Sequence, residues 1–176
     1  FGDWDVQKPL EGDGGRMDND PKLPRALVEV RKSARNGAAD ALNLTWKNPW
    51  FPTVRADSAA LDLRPYLERG VVSFDLKVNE LAKGGLAFRL DCGPNCGRKV
   101  PYVVPGRAAQ GKGWKTLSYA LKCFYQKGDD FSAVNQPFAL DGTGEGNVEI
   151  ANLRILRQGK ANASCPDYRT VAVTPA

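Results

Sequence analysis

The stretch VVSFDLKVNELAKGGLAFRLDCGPNC, Val71 to Cys96, decides the fold. Val72, Phe74, Leu76 and Val78 fall on one side of an extended chain, and Ser73, Asp75 and Lys77 fall on the other. A period of two is the mark of a strand half-buried against a second layer. LAFRLD repeats it, with Leu86, Phe88 and Leu90 inward and Arg89 and Asp91 outward. Strands that each bury a single side imply an antiparallel sandwich, because parallel strands are buried on both faces and lose the alternation.

Outward from this pair, the same reading predicts strands over residues 26–31, 41–47, 53–56, 61–63, 71–78, 86–91, 100–104, 116–121, 137–140 and 147–156. Gly, Pro, Asn or Asp separates nearly all of them, the punctuation of an all-β antiparallel sandwich or jelly roll. In the last strand the inward residues run Val148, Ile150, then Leu153 and Ile155, and the change of phase at Ala151-Asn152 predicts a bulge. Short helical turns are expected at Leu63–Arg69, which Gly70 ends, and at Asp130–Val134. Residues 1–24, rich in Gly, Asp and Pro, read as a lead-in or linker remnant with at most one short edge strand. Residues 25–176 read as a single β-sandwich domain.

Composition narrows the function. With 42% hydrophobic and 26% charged residues the chain is ordinary for a soluble globular domain. No apolar run reaches the roughly 18 to 20 residues of a membrane span. The chain starts at Phe1 and its one methionine is Met17, so the N-terminus reads as processed or internal to something longer. There is no histidine, which excludes Ser-His-Asp and Cys-His catalysis and histidine-ligated metals. The 20 Asp and Glu are scattered without a pair that marks an acid/base site, so this chain is read as no enzyme by itself. Its net charge of +5 is spread out, and no basic stripe interleaved with aromatics points to nucleic acid.

Four cysteines allow three pairings. Cys92-x3-Cys96 around Gly93, Pro94 and Asn95 suits a turn closed by a local bridge, which leaves Cys123 for Cys165. A four-cysteine zinc site is the rival, although structural zinc prefers two short Cys pairs and Cys123 and Cys165 have no close partner. Disulfides would place the chain in an oxidising compartment, secreted or periplasmic.

The ordered segments ALNLTWKNPW, LDLRPYL, GVVSFDLKV, LAFRLDCGPNCG, GKGWKTLSYALKCF, PFAL, VEIANLRI and SCPDYRTVAVTPA carry a resemblance. Over about Ala26 to Ala176 the chain is similar to the extra C-terminal domain of bacterial family-three glycoside hydrolases of the exo-1,3/1,4-beta-glucanase type. That resemblance implies a galactose-binding-like β-sandwich attached to an enzyme that releases glucose from β-glucans with carboxylates on other domains. None of those catalytic residues has a counterpart here. Two roles follow as expectations: β-glucan binding through exposed aromatics, or structural docking on the catalytic domains to stabilise or shape the active-site region. Fold likeness to a binding module does not choose between them.

Sugar-binding modules stack pyranose faces on exposed rings and fix hydroxyls with polar partners. Trp50 and Phe51, adjacent in a loop held by Pro49 and Pro52, cannot both face inward on extended chain; the competing reading has both cap the sandwich. Trp46 ends an alternating strand and reads as core. Trp114 and Thr116 alternate against Leu117, Tyr119 and Leu121, which puts Trp114 on the face opposite the core, as a platform or as cover for a neighbouring domain. Arg89, Tyr102 and Tyr125 are further candidates, and Asp75, Lys77, Arg89 and Asp91 would line a polar face that by default is simply solvated. No cofactor is required. A structural calcium, common in sugar-binding sandwiches, would draw on Asp13, Asp18 and Asp20 or on Asp141, against the plainer reading of Asp/Gly turns. The sequons at Asn43 and Asn162 read as incidental in a bacterial protein.

Overall fold

The computed structural model describes residues 11–12, 15–17, 26–37, 39–47, 54–56, 59–102 and 106–165. Among the described residues eleven strands follow in chain order: β1 (Glu11–Gly12), β2 (Gly15–Met17), β3 (Ala26–Ser33), β4 (Ala41–Lys47), β5 (Val54–Ala56), β6 (Val71–Glu80), β7 (Gly85–Asp91), β8 (Lys99–Pro101), β9 (Trp114–Ala120), β10 (Gln136–Thr143) and β11 (Glu145–Leu156). They form a five-stranded sheet, β1-β5-β10-β7-β8, and a six-stranded sheet, β2-β3-β4-β11-β6-β9. Every strand pairing is antiparallel. The alternation in β6 and β7 thus does what it implied: the two strands enter different sheets and turn their apolar sides toward each other.

Three rings fasten the sheets. Phe74 on β6 lies 4.7 Å from Phe88 on β7 and 5.1 Å from Phe138 on β10. All three are fully buried, and tilted aromatic contacts of this kind add about 0.5–1.5 kcal/mol beyond the area they bury. Val72, Leu76, Val78, Val148, Ile150, Leu153 and Ile155 complete the core from the six-stranded sheet. Trp46 is core as expected, and its Nε1 donates to the Thr143 carbonyl at 3.0 Å, which satisfies the indole's only donor. Gly142 and Gly146 lie flat on its ring: an added Cβ would come within 2.3 and 2.4 Å of indole carbons.

One expectation needs correction. β6 is not half-buried. Val71 through Leu76 are all buried, and Ser73 and Asp75, on the outward side, are only 3% and 5% exposed. Other side chains cover that side, as described below. The predicted strand 61–63 reduces to a single bridge, Leu61 to Val134, and of residues 130–134 only Phe131 and Ser132 form a turn, Val134 making the bridge instead. Arg64–Tyr66 forms the expected turn as a 3-10 helix, whereas the short helices at Gly106–Ala109 and Leu121–Phe124 were not anticipated. β1 and β2 fall within the segment read as lead-in. The bulge is where the phase change puts it: the β11–β6 register slips between Ala151 and Arg154, and Asn152 takes φ of 55°.

Both disulfides form as the spacing indicated, Cys92 to Cys96 and Cys123 to Cys165. The second ties the C-terminal segment beside β9, where Asn162 accepts from the Ser118 N–H and donates to the Thr116 carbonyl, both at 2.8 Å. An edge strand that would otherwise offer free backbone groups is thereby partly closed.

This packing sets the stability of two variants. Gly142→Ala should cost about 1–3 kcal/mol, because the Trp46 ring must give way in a close-packed core; an unchanged urea midpoint would show that the ring can move freely. The pair Cys123→Ser and Cys165→Ser, opening a loop of 42-residue separation, should lower stability by about 3–4 kcal/mol in the chain-entropy model.

Candidate functional site

The outer face of the six-stranded sheet is ordered in rows fixed by strand register. One row runs Arg31 (β3), Asn43 (β4), Glu149 (β11), Lys77 (β6) and Trp114 (β9). The next runs Ser33, Ala41, Ala151, Asp75 and Thr116. Trp114 therefore stands on the outward side, opposite Lys77, while its neighbour Lys115 pairs with the inward Leu76. The ring is half-buried, and its described neighbour is the Arg35 guanidinium, 5.1 Å from the ring centre.

Two buried carboxylates organise the face. Asp75 accepts hydrogen bonds from Thr116 Oγ1 and Asn152 Nδ2, both at 2.6 Å, and from Arg35 Nε at 2.9 Å. The bulge explains the second of these, since it turns the Asn152 side chain toward β6. Burial by itself would raise the Asp75 pKa, but the bonds from Thr116, Asn152 and Arg35 outweigh it and hold the carboxyl below its ordinary value. Glu149 behaves likewise. Its burial is opposed by a bond from Asn79 Nδ2 at 3.0 Å and by Lys77 at 3.5 Å, and the net direction is downward. A relay of amides then crosses three strands: Asn79 donates to Asn147 at 2.7 Å, and Asn147 donates to Asn43 at 2.6 Å and Thr45 at 2.7 Å.

Among the residues singled out from sequence, the structure brings Trp114, Asp75 and Lys77 together. Arg89 belongs elsewhere. It lies in the five-stranded sheet, 3.9 Å from Asp91 and 3.6 Å from Asp141, whose other oxygen lies 3.4 Å from Lys99. Asp141 is a buried strand residue facing two cations, and among the described residues no group of three or more His, Cys, Asp or Glu is placed to hold a metal. Tyr102 is half-buried at the margin of the core, edge-on to Phe88 at 6.1 Å, and burial pushes its hydroxyl pKa up. Tyr125 packs against Phe131 at 5.0 Å. Trp50, Phe51, Asp13, Asp18 and Asp20 lie outside the described residues. Sequence reasoning missed Arg35, Asn43, Asn79, Asn147, Glu149 and Asn152. The outward phase of Asn147 and Glu149 in β11 was a readable signal; Arg35, in a connecting loop, left none.

The sequence matches the galactose-binding domain-like family Exop_C over residues 11–155, and the chain belongs to that family. No curated protein matches it. Among solved structures it is similar to the extra C-terminal domain (X) of the exo-1,3/1,4-beta-glucanase ExoP from a Pseudoalteromonas species, at 12% identity and a TM-score of 0.58, covering 88% of this chain and 87% of that one. It is also similar to two modules from Clostridium thermocellum. One is the family 11 carbohydrate-binding module of the cellulase Lic26A-Cel5E, with 11% identity, TM-score 0.58 and coverage of 91% and 95%. The other is the family 30 module of the cellulase Cel9D-Cel44B, with 16% identity, TM-score 0.54 and coverage of 92% and 96%. At these identities the likeness is one of fold.

The carboxylates give the face an acid limit. A group whose pKa is depressed on folding contributes stability above its unfolded value, here 3.8 for Asp75 and 4.5 for Glu149, and loses it as pH falls toward the folded value. Wild type should therefore lose stability below about pH 4. Asp75→Asn should be less stable at pH 7 and decline less steeply as pH falls below 3.8, so that the gap between the urea midpoints narrows. Parallel curves would mean that Asp75 has no special stabilisation.

Proposed function

We propose that this chain is a non-catalytic, carbohydrate-binding accessory domain of a secreted or periplasmic β-glucan exohydrolase, and that it binds β-glucan on the outer face of the six-stranded sheet. The observation that carries this reading is Trp114: a large ring set on the polar side of an edge strand, in line with Lys77, Glu149 and Asn43, instead of in the core. An aromatic face supplies apolar area for the C–H side of a pyranose, and fixed amides and charges beside it supply partners for hydroxyls. Asn79, Asn147, Asn43 and Thr45 are already held in one hydrogen-bonded order, so little side-chain entropy remains to be lost on binding. Trp50 and Phe51 are assigned as further stacking rings.

Chemistry argues against hydrolysis at this face. Glycoside cleavage by a carboxylate pair needs one acid kept protonated by a raised pKa. Asp75 and Glu149 are both shifted downward and remain ionised at neutral pH. The family, the fold of carbohydrate-binding modules and two disulfides support a carbohydrate-directed role in an oxidising compartment.

NMR titration with cello- and laminari-oligosaccharides should shift the Trp114 indole signal and leave that of the buried Trp46 in place. Trp114→Ala should abolish the response. No indole shift at millimolar ligand, a binding free energy weaker than about 4 kcal/mol, would overturn the sugar-binding reading in favour of docking on catalytic domains.

A further inference from the structure

Arg35 belongs to no strand. It lies in the connection between β3 and β4, yet its side chain reaches past β4 and β11 to Asp75 on β6 and Trp114 on β9. The connection is shaped for this. Asp40 accepts from the backbone N–H groups of Arg35 at 2.6 Å and of Asn36 and Gly37 at 2.9 Å, and Ala39 takes φ of 58°. Those three bonds hold the Asp40 carboxyl below its ordinary value. Asp75 then fixes the guanidinium, and Thr116 and Asn152 fix Asp75.

A tryptophan at the start of an edge strand has few neighbours to restrain its side-chain torsions, and ordering such a ring on binding costs affinity. A guanidinium held over one ring face restricts that freedom in advance and directs a ligand to the other face. We infer that Arg35 is a positioning residue, which holds Trp114 so that one pyranose ring stacks on the indole face turned away from the guanidinium. Asp75 is its anchor, and Lys77 and Asn79 are the hydroxyl partners on the adjoining strand. This rests on the sugar-binding reading above and adds which ring face is used and what orients it.

The test uses the full chain as wild type, Arg35→Ala, Arg35→Lys and Trp114→Ala. Two quantities are measured: 15N relaxation of the Trp114 indole N–H without ligand, and affinity for cellotetraose and laminaritetraose by titration. Arg35→Ala should mobilise the indole in the free protein and weaken binding about five- to tenfold, with the Trp46 indole signal unchanged as the mark of an intact core. Arg35→Lys, which keeps a cation for Asp75, should recover part of both losses. If Trp114→Ala abolishes binding while Arg35→Ala keeps wild-type affinity and an equally rigid ring, the inference fails and sugar binding stands. If wild type binds neither oligosaccharide, both are overturned.

Discussion

The structure depends on β6 being buried on both of its sides. Its inward residues meet the five-stranded sheet through Phe74, which any sandwich requires. Its outward residues include Asp75, and a carboxylate that is 5% exposed is tolerable only when its oxygens are saturated. Three donors from three different segments supply that: Arg35 from the β3–β4 connection, Thr116 from β9 and Asn152 from the bulge in β11. Satisfying one buried charge thus fixes a loop, an edge strand and a bulge relative to one another. Desolvation offsets much of the Coulomb gain of such a cluster, so it contributes little more to stability than apolar residues would. Its consequence is specificity of arrangement. The outer face has one geometry.

That geometry is what a polyhydroxylated ligand needs. Sugars offer no charge and little apolar area, so affinity depends on avoiding ordering costs. The amide relay from Asn79 through Asn147 to Asn43 and Thr45 is set before any ligand arrives. Trp114 stands at one end of the adjoining row, with the Arg35 guanidinium over its ring at 5.1 Å. On the opposite sheet Arg89 faces Asp91 at 3.9 Å and Asp141 at 3.6 Å, Lys99 faces Asp141 at 3.4 Å, and Arg89 Nε and Asp141 Oδ1 are buried without a hydrogen-bond partner.

Much of the fold was legible because period-two patterning reports burial directly. Val72 through Val78 and Leu86 through Leu90 gave two sheets, Trp46 read as core, Trp114 read as outward, and the slip from Ile150 to Leu153 located the bulge. The site was legible only in part. Alternation assigns a side chain to a face but does not say whether that face is covered, so Asp75 read as solvated when it is buried. Nor does it say which sheet an outward residue belongs to; hence Arg89 and Asp91 read as one polar face with Asp75 and Lys77 although β7 and β6 lie in different sheets. Arg35 to Asp75 and Asn79 to Asn147 are contacts across 40 and 68 residues, set by tertiary register and a loop path that no local pattern encodes.

The most direct test of the central claim is a crystal structure of the chain soaked with cellotetraose or laminaritetraose. A pyranose ring stacked on Trp114, with hydroxyls within hydrogen-bond distance of Lys77, Asn79 or Glu149, is the predicted result. A sugar seated on the five-stranded sheet, or on a site without Trp114, would contradict the account.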